Sequence, residues 1–329
     1  MTSEKVVVIG GGTGIHNLLI GLKKYTPHIT AIVSAMDSGG SSGKLRDQFG
    51  HLPPGDVRQS LVALSPDQDA FLTLRKLFNY RFNKGEGLEG HTFGNLFLTA
   101  LTEIEGSEEK AIEAAATILG LHGKVVPVTL DHSHLTAKFE DGSMVTGEHE
   151  IDEPKHNGKL RITDFYLTPK AKANPKAVEA IKEADIIIIG PGDLYTSLIA
   201  NLLVDGICEA IASSKAKKVY VVNLMTKFGQ TYAFSAQDHV SEMQKYLGGD
   251  ILDYVFINTS ALPEDILKLY SEEQDFPVKD NLKENHYQIK RIELLSPLAY
   301  QKVEGDSLKR SLIRHDSEKL AAAVMMGLD

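Results

Sequence analysis

Short apolar runs that end in glycine or a polar cluster, each followed by helical periodicity, recur along this 329-residue chain. Lys5 to Ile9, Ile29 to Ser34, Ile186 to Ile189, Val219 to Val222 and Tyr254 to Ile257 are apolar without alternation, as strands covered on both faces must be. Helical spacing follows at Thr13 to Tyr25, Val57 to Ala63, Phe71 to Phe82, His91 to Leu101, Glu108 to Leu119, Pro175 to Glu183, Leu198 to Ser213 and Ser235 to Tyr246. This alternation predicts an α/β, Rossmann-like fold whose mostly parallel sheet is flanked by helices. One stretch breaks the pattern. Between Lys124 and Leu167 short alternating segments are separated by turn residues, and Leu135 to Phe139, Glu140-Asp141-Gly142 and Met144 to Gly147 read as a hairpin. We expect one Rossmann-like domain over 1–329 with a small β-rich insertion at 124–167. Asp152 to Lys159 is expected to loop out, and Ala261 to Asn285 to be a charged mixture of helix and loop.

Composition limits the function classes. A formal net charge of −9 argues against a nucleic-acid partner, because such binding depends on neutralising phosphates with Lys and Arg. Cys208 is the only cysteine, which excludes an internal disulfide framework and any multi-cysteine zinc site. About four apolar residues precede the first glycines, too few for a signal h-region or a membrane span. The expectation is a cytoplasmic protein with no membrane partner, and a homodimer, since two-fold dimers are the commonest assemblies.

Four segments can carry chemistry. Val6-Val7-Val8-Ile9 runs into Gly10-Gly11-Gly12-Thr13-Gly14 and then an amphipathic helix, where glycines admit a phosphate to the backbone and the open N–H groups of the helix start donate to it. A dinucleotide fingerprint would need glycine where Ile15 stands, although Asp37 lies near the place of a ribose-binding carboxylate. Asp37-Ser38-Gly39-Gly40-Ser41-Ser42-Gly43-Lys44-Leu45-Arg46 reads as a small polar loop able to wrap an anion, but not as a Walker A loop, because Leu45 occupies the Ser/Thr position. Just beyond, in Pro53-Pro54-Gly55-Asp56-Val57-Arg58, Asp56 can cap a helix or join Asp37 in holding Mg²⁺ beside phosphate oxygens. Gly90-His91-Thr92-Phe93-Gly94-Asn95-Leu96 offers His91, Thr92 and Asn95 at a helix start. Finally, Ile186 to Ile189 opens into Gly190-Pro191-Gly192-Asp193-Leu194-Tyr195-Thr196-Ser197, a second glycine turn that a parallel sheet delivers to the same edge as the first, with Asn201 nearby.

As an ordered set, Gly-Gly-Gly-Thr-Gly, Asp-Ser-Gly-Gly-Ser-Ser-Gly, Pro-Pro-Gly-Asp-Val-Arg, Gly-His-Thr-Phe-Gly-Asn-Leu and Gly-Pro-Gly-Asp-Leu-Tyr-Thr-Ser resembles the gluconeogenesis factor (YvcK-like) family of the CofD-like superfamily, from Val6 to about Thr231. Three positions depart from the family pattern: Ser38 where a second Asp is common, Ala200 where proline is usual, and Gln230 where Glu is usual. The resemblance implies a Rossmann-like fold and a role in cell-wall precursor supply and cell shape during growth on gluconeogenic carbon sources. Members similar to this chain bind UDP-N-acetylglucosamine, while the CofD branch is a phospholactate transferase of coenzyme synthesis. The ligand-binding positions it implies are Gly11, Gly12, Thr13, Asp37, Ser41, Ser42, Lys44, Arg46, Asp56, Arg58, His91, Asn95, Gly192, Tyr195 and Asn201.

Three functions fit these residues. A nucleotide-sugar-binding regulator needs no nucleophile. A transferase of phosphorus-containing groups would use a nucleotide-activated donor, with Asp37 or Asp56 as base or Mg²⁺ ligand and Arg46 or Arg58 neutralising developing charge. Least favoured is a nucleotide-dependent oxidoreductase. No cofactor is certain, and Mg²⁺ enters only with the transferase.

Overall fold

The computed structural model describes residues 1–67, 69–283, 285–297 and 312–328. Its strands are β1 (Val6–Gly10), β2 (Ile29–Val33), β3 (Lys124–Pro127), β4 (His134–Phe139), β5 (Met144–Thr146), β6 (Ile162–Thr168), β7 (Ile186–Ile189), β8 (Lys217–Val221), β9 (Tyr254–Asn258) and β10 (Gln288–Ile292). Seven of them form one parallel sheet in the order β10-β9-β8-β7-β1-β2-β3, and β5-β4-β6 form a small antiparallel sheet. In the central register Val6 stands opposite both Ile29 and Ile186, and Ile9 opposite both Ile32 and Ile189.

Alternation along β1 supplies two cores. Val6 and Val8 face one side with Ile15, Leu18, Leu19 and Leu22 of the first helix, Gly12–Leu22. Val7 and Ile9 face the other with Ile187, Ile189 and the buried side of the small sheet, including Leu135, Ala137, Phe139 and Phe165. Fully apolar runs were therefore the right signal for the five central strands, because both faces of each are covered.

Several elements differ from expectation. Lys124 to Pro127, assigned to the insertion, pairs parallel with β2 and closes one edge of the main sheet, so the antiparallel sheet begins only at His134. The segment around Ser41 is no loop: Gly40–Phe49 is helical, and Ser41, Ser42, Gly43 and Leu45 are its buried face. The stretch from Leu198 to Ser213 is not one helix. A π-helical turn, Leu194–Ile199, runs into Ala200–Leu202, and a new helix, Ile207–Ser213, starts after Gly206 at φ 104°, a left-handed conformation that interrupts helical hydrogen bonding. Asp152 does not loop out but ends a short helix, Glu148–Asp152.

The C-terminal helix, Ser317–Met326, lies against the first helix so closely that a Cβ on Gly21 would stand 1.9 Å from the Ser317 carbonyl oxygen. The obstacle is backbone, which cannot rotate away. Gly21→Ala is expected to lower the unfolding free energy by about 2 kcal/mol, read by chemical denaturation. An unchanged midpoint would show that the two helices separate at little cost.

Candidate functional site

β1 is flanked by β2 on one side and β7 on the other, so the chain leaves β1 in one direction across the sheet and returns on its opposite side. Such a switch point opens a crevice at the carboxyl ends of the two strands. Both strands end there in glycine. β1 passes through Gly10 and Gly11 into the Gly12–Leu22 helix, and β7 passes through Gly190-Pro191-Gly192 into the π-helical turn. The two turns touch backbone to backbone: a Cβ on Gly14 would lie 2.2 Å from the Pro191 carbonyl oxygen. Gly190, at φ 87°, holds the left-handed conformation that lets β7 turn so sharply.

Side-chain amides fasten these turns from below. Asn201 donates from Nδ2 to the Gly10 carbonyl at 3.4 Å and to the Ser197 carbonyl at 2.7 Å, and Asn223 donates to the Gly192 carbonyl at 2.7 Å. Asn201 is wholly buried, and it positions the first glycine turn. Tyr195 is also wholly buried, its ring set edge-on against Phe165 at 5.2 Å and against Tyr246 at 6.4 Å. It packs the small sheet onto the main one. Gly12 and Thr13 open the first helix, and the Thr13 side chain lies outside the described atoms.

The segment after β2 brings two further helices, Gly40–Phe49 and Gly55–Leu64, to the same crevice. A Cβ on Gly11 would meet an Asp56 carboxylate oxygen at 2.2 Å, and one on Gly55 would meet Ser42 Oγ at 2.6 Å and Asp37 Oδ2 at 2.7 Å. These glycines bring carboxylate and hydroxyl groups onto bare backbone. Asp37 accepts the Gly39 N–H at 2.8 Å. Burial holds its carboxyl above the usual range, while the Gly39 N–H, the Ser42 hydroxyl and nearby Arg46 pull it down. Arg46 reaches the Asp37 carbonyl at 3.4 Å and pairs with Asp47 at 3.1 Å, and Lys44 is exposed.

Behind them runs a polar chain, buried at Arg58, Asn95, Ser41, Ser42 and His91. Arg58 donates to Asn79 Oδ1 at 2.6 Å and to Asn95 Oδ1 at 2.9 Å, and Asn95 Nδ2 donates to Ser41 Oγ at 3.1 Å and to Ser42 Oγ at 3.4 Å. Ser41 Oγ lies 3.1 Å from His91 Nδ1. Burial lowers the His91 pKa, and the charges of Lys44 and Arg81 lower it further. Thr92 caps the following helix, accepting the Asn95 N–H at 3.4 Å.

A second group was not anticipated. Asp152, at the end of the helix of the insertion, accepts from Thr196 Oγ1 at 2.8 Å, from Gln230 Nε2 at 2.5 Å and from Lys227 Nζ at 2.7 Å. Lys227 also reaches Asp193 at 2.5 Å. At the other end of this helix Ser38 accepts the His149 N–H at 2.9 Å and donates its own N–H to Glu148 at 3.4 Å. The insertion is thereby tied to the segment after β2 by hydrogen bonds and to the segment after β7 by a hydrogen bond from Thr196 and the shared Lys227 ammonium. Burial pushes Glu148 well above the usual carboxylate range, and the charges of Asp152 and Asp37 add to it. Burial also raises Asp193 against the pull of Lys227. For Lys227 burial acts downward but Asp152 and Asp193 outweigh it, so the ammonium is held charged.

A family model described as 2-phospho-L-lactate transferase CofD matches residues 6–296. A putative gluconeogenesis factor of Thermotoga maritima is 46% identical over 97% of this chain and 98% of its own length. The chain belongs to the gluconeogenesis-factor family, within the CofD family. The gluconeogenesis factor of Listeria innocua is 42% identical over 98% of the chain and 95% of its own. A crystal structure of a Bacillus halodurans protein superposes with a TM-score of 0.87 at 38% identity, covering 98% of this chain and all of that one.

In this gluconeogenesis-factor relative the raised carboxylates set a pH dependence. Folded Glu148 and Asp193 keep protons that the unfolded chain releases, so their stabilisation is complete below the ordinary carboxylate pKa and is lost as pH rises through the raised values. Denaturation at pH 5.5 and pH 8 is expected to show this fall for the parent and a shallower one for Glu148→Gln. Lys227→Met removes the cation that Asp152 and Asp193 share and should cost about 2 kcal/mol at pH 8, less at pH 5.5.

Proposed function

We propose that this chain binds a nucleotide sugar of the UDP-N-acetylglucosamine type and acts as a cytoplasmic regulator linking gluconeogenic growth to cell-wall precursor supply and cell shape. The observation that carries the reading is the backbone contact between the two glycine turns at the β1/β7 switch point. Both turns leave open N–H groups where helices begin, and such groups favour the oxygens of a diphosphate. Gly11, Gly12, Thr13 and Gly192 would line the diphosphate, with Asp37, Ser41, Ser42, Lys44, Arg46, Asp56, Arg58, His91 and Asn95 forming the wall after β2 or holding it in place. The membership of the gluconeogenesis-factor family supports the same reading, and among the described residues no helix is long and apolar enough to cross a membrane.

A second reading, a transferase using a nucleotide-activated donor, is favoured by the match to the CofD model and by the Asp56 carboxylate set against Gly11. Mg²⁺ usually takes only one or two carboxylates and completes its shell with phosphate oxygens and water. Asp56 and Asp37 meet that need, and the ion would neutralise charge on the departing group.

Isothermal titration with UDP-N-acetylglucosamine, GDP and NAD, each with and without Mg²⁺, separates the readings. Metal-independent binding of the nucleotide sugar alone is the expected result. A preference for GDP with Mg²⁺ would favour the transferase, and binding of NAD alone would overturn both. Asp56→Asn should leave the sugar nucleotide bound within about threefold in a regulator and abolish turnover in a transferase.

A further inference from the structure

The insertion reaches the crevice through one short helix, Glu148–Asp152, whose two ends are held very differently. Its far end is fastened several times over to the segments that follow β7 and β8. Asp152 takes hydrogen bonds from Thr196 and Gln230 and pairs with Lys227. Just beyond, Gly229 donates its N–H to the Gly158 carbonyl at 2.9 Å. Neither glycine has room for a side chain: a Cβ on Gly229 would lie 2.6 Å from the Pro154 ring, and one on Gly158 would lie 2.4 Å from the Phe228 ring. Between the ends, Ile151 is wholly buried in the core that also holds Ile9 and Ile189.

The near end meets the segment after β2 at a thin seam. Ser38 accepts the His149 N–H at 2.9 Å and donates its own N–H to Glu148 at 3.4 Å. Burial and the charges of Asp152 and Asp37 disfavour the ionised form of Glu148, which denies the second bond the strength of a charged acceptor. The His149 side chain is 46% exposed, so water reaches the seam. Ser38 is followed by Gly39 and Gly40, and Gly40 stands at φ 47° with no atom within 4 Å of the place of a Cβ, which leaves this stretch free to shift.

What lies under the seam is the crevice wall. A Cβ on Gly39 would stand 3.6 Å from Asp37 Oδ1 and 3.7 Å from His149 Cβ. In the sheet β1 lies between β2 and β7, so the helix, joined to the β2 side at one end and to the β7 and β8 side at the other, crosses the β1 exit. Two strand spacings amount to about 10 Å. A rise of about 6 Å over this helix, together with the side chains at its ends, covers that span.

We infer that the seam between Ser38 and the Glu148–Asp152 helix is a clasp, which closes over a ligand in the crevice and has to part for the ligand to enter and leave. It rests on the reading of that crevice as a nucleotide-sugar site. Parting breaks the two Ser38 bonds and shifts Ser38 to Gly40, while the bonds to Asp152, and those of Asn95 to Ser41 and Ser42, stay in place. The insertion is the fixed jaw, and the segment after β2 is the moving one.

The seam can be sewn shut. A separation of 3.7 Å between Cβ positions is what a disulfide requires, and Gly39, at φ −93°, has a backbone that any residue adopts. Gly39→Cys with His149→Cys, in the full chain carrying Cys208→Ser, therefore locks the clasp on oxidation and frees it on reduction. Surface plasmon resonance follows the rates at which UDP-N-acetylglucosamine enters and leaves. In the oxidised chain both rates are expected to fall by about tenfold or more, up to a loss of binding that dithiothreitol reverses. Ser38→Ala, which removes the acceptor of the His149 N–H, should raise both rates by about threefold. Ligand exchange in the oxidised chain at the rates of the reduced one would overturn the clasp, as would failure of the pair to oxidise in a chain that melts like the parent. If the parent binds no UDP-N-acetylglucosamine, the nucleotide-sugar reading falls, and amide hydrogen exchange of the parent alone decides whether the seam opens. The His149 amide should then be at least about tenfold less protected than that of Gly229 at the fastened end, and equal protection would overturn the opening too.

Discussion

Parallel pairing of β1 with β7 is the constraint on which the rest depends. Strand β7 is reached only after some 175 residues of intervening chain, yet it pairs with the first strand in a register that sets Ile9 beside Ile189 and so places the two strand exits side by side. Everything at the crevice follows from that adjacency. Gly14 must be glycine because Pro191 is there, and Asn201 can reach Gly10 because the π-helical turn begins where it does. The regular α-helix would rotate later side chains by 100° per residue, and a π turn alters that phase locally, which is one reason such turns gather at functional positions.

The electrostatics of the edge are divided into two territories. Beside β1 and β2, backbone N–H groups and Arg58 dominate, and the carboxylates of Asp37 and Asp56 are drawn onto glycine backbone. Beside the insertion, Asp152, Asp193 and Glu148 converge around Lys227. An anion entering the first territory would meet backbone donors beside the carboxylates of Asp37 and Asp56, whereas in the second it would have to displace Asp152 and Asp193 from the ammonium they share. The insertion thus borders the crevice with a cluster of carboxylates, which disfavours anions on that side.

Legibility from sequence tracks how each element is buried. The five central strands were visible because both faces are covered and the code is simply continuous hydrophobicity. β10 was not, since Gln288–Ile292 is an edge strand with exposed Gln288 and Arg291. The Gly40–Phe49 helix escaped notice because its buried face is Ser41, Ser42, Gly43 and Leu45, which carries almost no apolar signal. Its contact with the Phe93–Glu105 helix includes hydrogen bonds from Asn95 to Ser41 and Ser42. Glycine turns and cap residues stood out in the chain, since their chemistry is local. Asp152 and Lys227 did not, because a partnership across 75 positions leaves no trace in the spacing of either.

Tyr195 and Asn201 illustrate the same limit from the other side. Both follow the second glycine turn and share its motif, so proximity in sequence suggests a common task. The structure separates them by their contacts: Tyr195 is locked between Phe165 and Tyr246, and Asn201 holds the Gly10 carbonyl beneath the turn. A motif at a strand exit contains both the backbone that can meet a ligand and the side chains that keep this backbone in place. The second kind cannot be replaced more freely than the first, because removing a buried amide takes away the hydrogen bonds it donates, at a cost of about 1 kcal/mol each. Shape at the crevice is therefore set as much by Asn201, Asn223 and Arg58, which need touch no ligand, as by the glycines themselves.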